Sequence, residues 1–305
     1  MPESKKSTNP DSGSDSGRVY HTACTGAALA TAQAHEREED ITLFGSCFCP
    51  FVQRVWVAFE VLGVPYKVYE VDPYKKPKEL LEVSPKGLVP GLRFNRYHPP
   101  RSLNESSVIL EFLEDLAATT TKRSILPPVT NPYARGLVRL QADHVNRSLV
   151  PAFYRYLQAQ DEGKQIEAGR EFHASLEGLV KLLERAEREI ALGPDAAGVS
   201  GEGETRMLRK GLGLWVPGET ELGWVDVVAG PWLFRAKVVL PHYRGFRLPE
   251  GERFNAWLTR LFEHPAFKAT CSTEQLYLDS YERYAFNRPN TSMVATAINE
   301  GRALP

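Results

Sequence analysis

The stretch from Phe44 to Arg54, FGSCFCPFVQR, constrains the fold more than any other, because it joins a short apolar run, a glycine turn and a proline-started helix. ITLF at 41–44 has the composition of a buried strand and is closed by Gly45 and Ser46. Pro50 suits the first position of a helix, where its fixed φ is already helical and its missing N–H had no partner to lose. In the segment that follows, Val52, Val55, Trp56 and Phe59 recur at i, i+3, i+4 and i+7 as one apolar stripe, and Gly63 is placed to end it. Tyr66 to Val71 reads as a second strand. The strand, helix, strand order is that of a βαβ unit, with Cys49 at or next to the N-cap of its helix. There the unpaired N–H groups and the positive end of the helix dipole favour a thiolate over a thiol.

Further along, residues 73–77 read as loop, Lys78 to Val83 as a short helix, and SPKGLVPGLRF as a strand entered through Pro90, a position that suits a cis peptide bond. Residues 95–101 have turn chemistry and 102–104 form a short segment. ESSVILEFLEDL opens on Glu105 and Ser106 and continues as a helix with Ile109, Phe112, Leu113 and Leu116 inward. A compact half over residues 39–122 results. The proline-dense ILPPVTNP at 125–132 reads as a linker, and residues 132–285 carry helical spacing with no persuasive strand. The expected fold class is therefore α/β plus all-α. Residues 1–38, rich in Ser, Asp, Gly and Ala, read as a flexible leader, 193–213 as a Gly-rich surface insertion, and 286–305 as an extended tail.

Charge and apolar runs narrow the partners. Lys and Arg number 37 against 38 Asp and Glu, which supplies no electrostatic reason to bind nucleic acid or an anionic membrane. No apolar run approaches the ~20 residues of a spanning helix, and the first residues lack the apolar core of a signal peptide. A cytoplasmic protein with no stable membrane association is expected. Four cysteines in 305 residues do not make a disulfide scaffold, so a special cysteine is more readily catalytic or redox-active. The seven histidines show neither HExxH nor ligand spacing with the cysteines, and no metal is expected.

Each candidate residue has a structural reading beside a functional one. Cys49 is either a small buried hydrophobe or a nucleophile. Cys47 makes a CxC, not a CxxC, and a 47–49 disulfide would close a small strained ring. Val52 occupies the place of a resolving thiol one helical turn on, so an external thiol would have to resolve a mixed disulfide at Cys49. Ser106 and Glu105 either cap and favour a helix start or receive a ligand carboxylate and ammonium. Lys76 is a solvated lysine or an anion contact, and Val89, just before Pro90, offers a backbone edge to an extended peptide ligand. Asp226, three residues after Gly223, is a capping box and a folding signal. Phe153, Tyr154, Tyr156, Trp232 and Phe234 are helical core or the lining of an aromatic pocket.

Together these stretches resemble a known family. FCPF at 48–51, VPYKVYEVD at 64–72, KKP at 75–77, PKGLVPGL at 85–92 and ES at 105–106 are similar in order and spacing to the omega-class glutathione transferases, most of all their fungal branch. ADHVNR at 142–147, VPAFYRYLQAQ at 150–160, AGPW at 229–232 and the closing INEGRALP extend the likeness. The resemblance implies a thioredoxin-like N-terminal domain, a helical-bundle C-terminal domain carrying the second-substrate site, and a cytoplasmic homodimer. It implies glutathione as co-substrate, Cys49 as the catalytic thiol, and glutathione contacts at Phe51, Lys76, Val89, cis Pro90, Glu105 and Ser106. The activity it implies is a glutathione-dependent thioltransferase or reductase acting on mixed disulfides, glutathionyl ketones or dehydroascorbate, with a small hydrophobic or glutathionylated partner substrate. Two alternatives accompany it: a carrier of glutathione or aromatic ligands, and a relative of the intracellular chloride channels, which share the CPF helix. Cys47, the insertion, the long leader and Gly223 at a helix cap depart from the family pattern.

Overall fold

The computed structural model describes residues 20–193 and 202–305. The chain divides into a unit that runs through Arg123 and takes in His264–Ser280, and a second unit of Ser124–Glu263 with Tyr281–Pro305. In chain order the first comprises α1 (Gly26–Ala34), β1 (Ile41–Gly45), α2 (Pro50–Leu62), β2 (Lys67–Glu70), α3 (Lys78–Val83), β3 (Gly91–Phe94), β4 (Arg101–Asn104) and α4 (Ser106–Thr119). The sheet has the order β2-β1-β3-β4. β1 runs parallel to β2, a pairing that needs a crossover, and α2 provides it. β1 pairs antiparallel with β3, and β3 with β4. All five residues of β1 are buried, as in a strand covered on both faces. Phe44, Val71, Leu80 and Val83 form a core cluster beside which Tyr69 and Val89 pack. Gly45 permits the close join to α2: a β-carbon there would lie 2.7 Å from Cγ1 of Val52.

The second unit contains α5 (Pro132–His144), α6 (Val150–Gln158), α7 (Glu162–Ala186), α8 (Glu202–Arg209), α9 (Trp224–Arg244) and α10 (Glu252–Glu263). The α/β plus all-α expectation is borne out. α5 passes into α6 through a π-helical turn, Val145–Leu149. Pro151 follows within the first turn of α6, and its missing N–H removes one i to i−4 bond just there. α9 is buried along most of its length, and its N-terminus is organised by Asp226, which is fully buried. Asp226 accepts from the Leu214 N–H at 2.8 Å, the Gly223 N–H at 2.9 Å and the Trp257 indole N–H at 2.8 Å. The half of the expected capping box that Asp226 supplies is thus present, its carboxylate reaching back to the Gly223 N–H, while glycine has no side chain to supply the other half. The aromatic set resolves toward core. Phe153 and Trp232 are wholly buried, Tyr154 and Tyr156 nearly so, and partly buried Phe234 meets Phe262 edge-on at 5.3 Å. Among the described residues no helix is long and apolar enough to cross a membrane.

Four boundaries differ from the sequence expectation. Residues 1–19 of the expected leader lie outside the described residues, but from Tyr20 the chain is tied down. Tyr20 donates to Asp72, the Cys24 N–H to Glu70, and the Ala28 N–H to the Cys271 carbonyl. α1 forms there because GAALATAQA is rich in alanine, a strong helix former, and it buries only Ala28 and Ala32, too little apolar surface to show as a stripe. His264–Ser280 belongs with the first unit instead of the helical one. Phe267 is wholly buried there, and Thr270 receives the Gln53 amide of α2. The expected tail contains a helix, Met293–Asn299, capped by Ser292 and burying Ala295 and Ala297. Of the Gly-rich insertion, residues 194–201 lie outside the described residues. α8 follows them, and Gly211, Leu212 and Gly213 are buried, so its end is core and not surface.

Asp226 yields a stability prediction. Burial holds its carboxyl up at about 6, against three donors that favour the ionised form. An acid with a folded pKa above its unfolded value contributes stability that is full below about pH 4 and lost as pH rises through about 6, here up to about 3 kcal/mol. The melting temperature should accordingly fall from about pH 4 to about pH 7, and Asp226→Asn should flatten that slope. Asp226→Ala, which orphans three buried donors, is expected to cost about 3 kcal/mol or more in denaturant unfolding.

Candidate active site

The turn between β1 and α2 fixes the first functional atom. The Cys49 N–H donates to the Ser46 carbonyl at 3.1 Å, and the Cys49 carbonyl accepts from the Gln53 N–H at 3.0 Å. Cys49 is the N-cap, extended at φ −75 and ψ 121, with Pro50 in the first turn, as the sequence implies. Its side chain makes no capping bond, because a thiol is a weak acceptor. The group is half-buried, and its Sγ lies 3.9 Å from the Val89 carbonyl. The Val89–Pro90 bond is cis, and both residues stand just before the β3 ladder opens at Gly91.

The other three cysteines sit in different surroundings. Cys47 is buried and donates Sγ–H to the His21 carbonyl at 3.2 Å. Burial, then the charge of Glu70, pushes its thiol well above the ordinary range. Cys24 is buried and raised for the same two reasons. Cys271 Sγ meets the Phe267 carbonyl and the Gln53 amide, both at 3.4 Å.

At the head of α4 the backbone bends sharply. Glu105 is the N-cap, with φ 69 and ψ 107. Positive φ is costly for a residue with a β-carbon, on the order of 1 kcal/mol or more, and is held only where neighbours over-determine it. The reading of Ser106 as the cap is therefore corrected: Ser106 is the first helical residue, 6% exposed, and its hydroxyl is engaged from the side. The Arg54 Nε–H donates to Ser106 Oγ at 3.0 Å, a second guanidinium N–H reaches the same oxygen, and the fork extends to Ser107 Oγ at 3.3 Å. Arg54 is 3% exposed and lies 5.3 Å from the centre of the Phe51 ring. Burial pulls its guanidinium down to about 10, opposed by negative charge at Cys49 and Glu105, so it is a cation at neutral pH.

Among the sequence candidates, Cys49 and Val89 meet directly, and Arg54 links Phe51 to Ser106, the residue after Glu105. Lys76 is exposed; its Nζ donates to the Lys86 carbonyl at 3.2 Å, and its chain crosses Gly87. A β-carbon on Gly87, whose φ is 62, would stand 2.5 Å from Lys76 Cδ. The loop under Lys76 leads directly into Val89 and Pro90. Arg54 is the residue that sequence reasoning missed. Its signal was a charged side chain within the otherwise largely apolar VQRVWVAF, where a solvated arginine has no place. Among the described residues no group of three or more His, Cys, Asp or Glu could hold a metal ion.

Comparison with known proteins places the chain in a family. Residues 43–121 match the family model described as glutathione S-transferase, N-terminal domain. The chain is 30% identical to the glutathione transferase Omega 3C of Trametes versicolor, with a TM-score of 0.65, over 87% of this chain and 98% of that one. It is 25% identical to rice GST1, solved in complex with glutathione, with a TM-score of 0.61 over 83% and 99% of the two chains. It is also 31% identical to glutathione S-transferase U2 of Arabidopsis thaliana, over 51% of this chain and 62% of that relative. The fold is that of a glutathione transferase, a thioredoxin-like sheet with helices followed by a helical part. The chain belongs to the glutathione transferase family.

The Gly45 contact gives a direct test of the turn. Gly45→Ala drives a β-carbon into Val52 and is expected to cost about 1 to 3 kcal/mol and to slow alkylation of Cys49. Gly136→Ala on α5, where a β-carbon meets open space, should do neither; melting curves and timed iodoacetamide labelling read both.

Proposed function

We propose that the protein is an omega-class, cysteine-type glutathione transferase that works as a monothiol thioltransferase. The observation that carries this reading is a half-buried cysteine at the N-cap of α2, with a valine one turn on where a resolving thiol would sit. Val52 is itself buried against Gly45, so the helix offers no second sulfur. The likeness to the Trametes Omega 3C protein supports the class.

In the proposed reaction the Cys49 thiolate attacks the glutathionyl sulfur of a mixed disulfide. The new Cys49–glutathione S–S bond forms as the old S–S bond breaks, and the partner leaves as a thiolate that takes a proton from water. A second glutathione thiolate then attacks the glutathionyl sulfur on Cys49, which releases glutathione disulfide and restores the Cys49 thiolate. Glutathionyl ketones and dehydroascorbate are further oxidants that the same thiol can serve. In this reading Val89 pairs its backbone with the cysteinyl part of glutathione, and Lys76 meets the glycyl carboxylate. Phe51 packs beside the site, while Glu105 and Ser106 take the ammonium and carboxylate of the γ-glutamyl end. The residues present suit such a ligand: a donor-rich helix start for a carboxylate, and a strand entry through a cis proline for an extended backbone. A cytoplasmic homodimer completes the reading.

A carrier function is the weaker reading, because most of the aromatic residues that would motivate it lie in core.

Intact mass after exposure to glutathione disulfide tests the proposal. Wild-type protein should gain one glutathionyl group, removed by excess glutathione. Cys47→Ser should keep the adduct and Cys49→Ser should lose it; the reverse pattern overturns the assignment. Val52→Cys should instead end with an internal 49–52 disulfide and no retained glutathione, since a resolving thiol then stands one turn away.

A further inference from the structure

The chain from Tyr20 to Ala34 is held differently from the rest of its unit. Its buried apolar side chains are Tyr20, Cys24, Ala28 and Ala32, and the last two offer only a methyl group each. What docks it is a series of hydrogen bonds to two surfaces of the same unit. Beside β2, Tyr20 donates to Asp72 at 3.1 Å and the Cys24 N–H to Glu70 at 2.7 Å. Along residues 269–279, His21 meets Asp279 at 2.9 Å and the Thr25 N–H donates to Ser272 Oγ at 3.2 Å. The Ala28 N–H donates to the Cys271 carbonyl at 3.0 Å, and the Thr31 hydroxyl to the Ala269 carbonyl at 2.7 Å. Water replaces such bonds at small net cost, and a segment with few apolar contacts belongs to the parts of a fold that open before the core. One end is fixed more firmly. His35, just past α1, stacks on the Tyr66 ring at 4.1 Å, bonds the Tyr66 carbonyl at 3.0 Å, and accepts the Val68 N–H at its own carbonyl at 2.9 Å. The docked segment covers sulfur: the His21 carbonyl lies 3.2 Å from Cys47 Sγ, Cys24 rides on the segment itself, and both thiols are buried.

We propose that residues 20–34 form a strap hinged at His35, which lifts as one piece while β1 and α2 stay folded, and that its lifting turns Cys47 and Cys24 into sites of thiol modification. Lifting takes Cys24 away from Glu70 and uncovers Cys47, which removes the burial that raises both thiols. Glutathione disulfide then reacts with either one. The cysteine thiolate attacks one sulfur of the disulfide, the new S–S bond forms as the old one breaks, and the departing glutathione thiolate takes up the proton that the cysteine gave to water. A glutathionyl group does not fit at a sulfur buried under the closed strap, so the adduct holds the strap open. The device is independent of the chemistry proposed for Cys49.

The test uses the full chain, excess iodoacetamide over long exposures to sample rare openings, and each cysteine quantified by its peptide. Tyr20→Phe, Thr25→Val and Thr31→Val combined remove three hydroxyls that bond Asp72, Thr273 and Ala269 and keep the side-chain shapes. The triple variant should label Cys24 and Cys47 faster than wild type, both together and by about tenfold or more, while hydrogen exchange stays slow across β1 and α2. In sub-denaturing urea the two labelling rates should rise with a slope shallower than that of global unfolding followed by tryptophan fluorescence. In a Cys49→Ser background, glutathione disulfide should place an adduct on Cys47 or Cys24 of the triple variant, and the adduct should speed hydrogen exchange over residues 20–34. Labelling that keeps the slope of global unfolding, rates at Cys24 and Cys47 that change independently, or an adduct that leaves the strap amides protected overturns the proposal. If the triple variant does not fold, the urea series on wild type and Tyr20→Phe decides by the same slope. Because these arms do not use the Cys49 thiol, their failure is distinct from a failure of Cys49 to take up glutathione, which contradicts the proposed function instead.

Discussion

The backbone between Gly45 and Pro50 is the constraint on which the site depends. β1 ends in a residue without a side chain, α2 starts at a residue without an N–H, and the space between admits only a tight turn. Within it the Cys49 N–H is bound to Ser46 and its carbonyl caps the first turn of the helix. The thiol is thereby left at the positive end of α2 with its side chain outside the capping role. From that point the rest follows by packing. Val52 seats against Gly45, α2 packs on α4, and the entry to β3 brings the Val89 carbonyl to the sulfur.

Location separates thiols that composition treats alike. Cys47 is two residues from Cys49, yet it points into buried surroundings where the His21 carbonyl takes its hydrogen and Glu70 opposes its ionisation. Cys24 shares that environment. Part of what encloses them is the segment beginning at Tyr20, bonded to Asp72, Glu70 and Asp279. A region whose composition suggested mobility thus helps to bury two of the four thiols.

How much was legible in the sequence divides along physical lines. The βαβ unit, the N-cap position of Cys49, the cis Val89–Pro90 bond and the Gly223 to Asp226 capping box were readable, because each is set by local chemistry: a proline, a glycine, or a fixed spacing. α1, the closing helix Met293–Asn299 and the return of His264–Ser280 to the first unit were not. Their faces bury alanines or rely on hydrogen bonds between hydroxyls and backbone some 240 positions apart, and neither leaves a periodic apolar signal. Arg54 was missed for a related reason. A lone arginine in an amphipathic helix gives no sign of its partners, and those partners lie on α4, 52 and 53 residues on.

The measurement that addresses the central claim most directly is competitive alkylation of the native protein at neutral pH with limiting iodoacetamide, each cysteine quantified by its peptide. Cys49 should carry nearly all the label, with Cys24 and Cys47 protected until the protein is denatured. Equal labelling of Cys49 and Cys271, or labelling of Cys47 ahead of Cys49 in the folded protein, would contradict a nucleophile made by the N-terminus of α2.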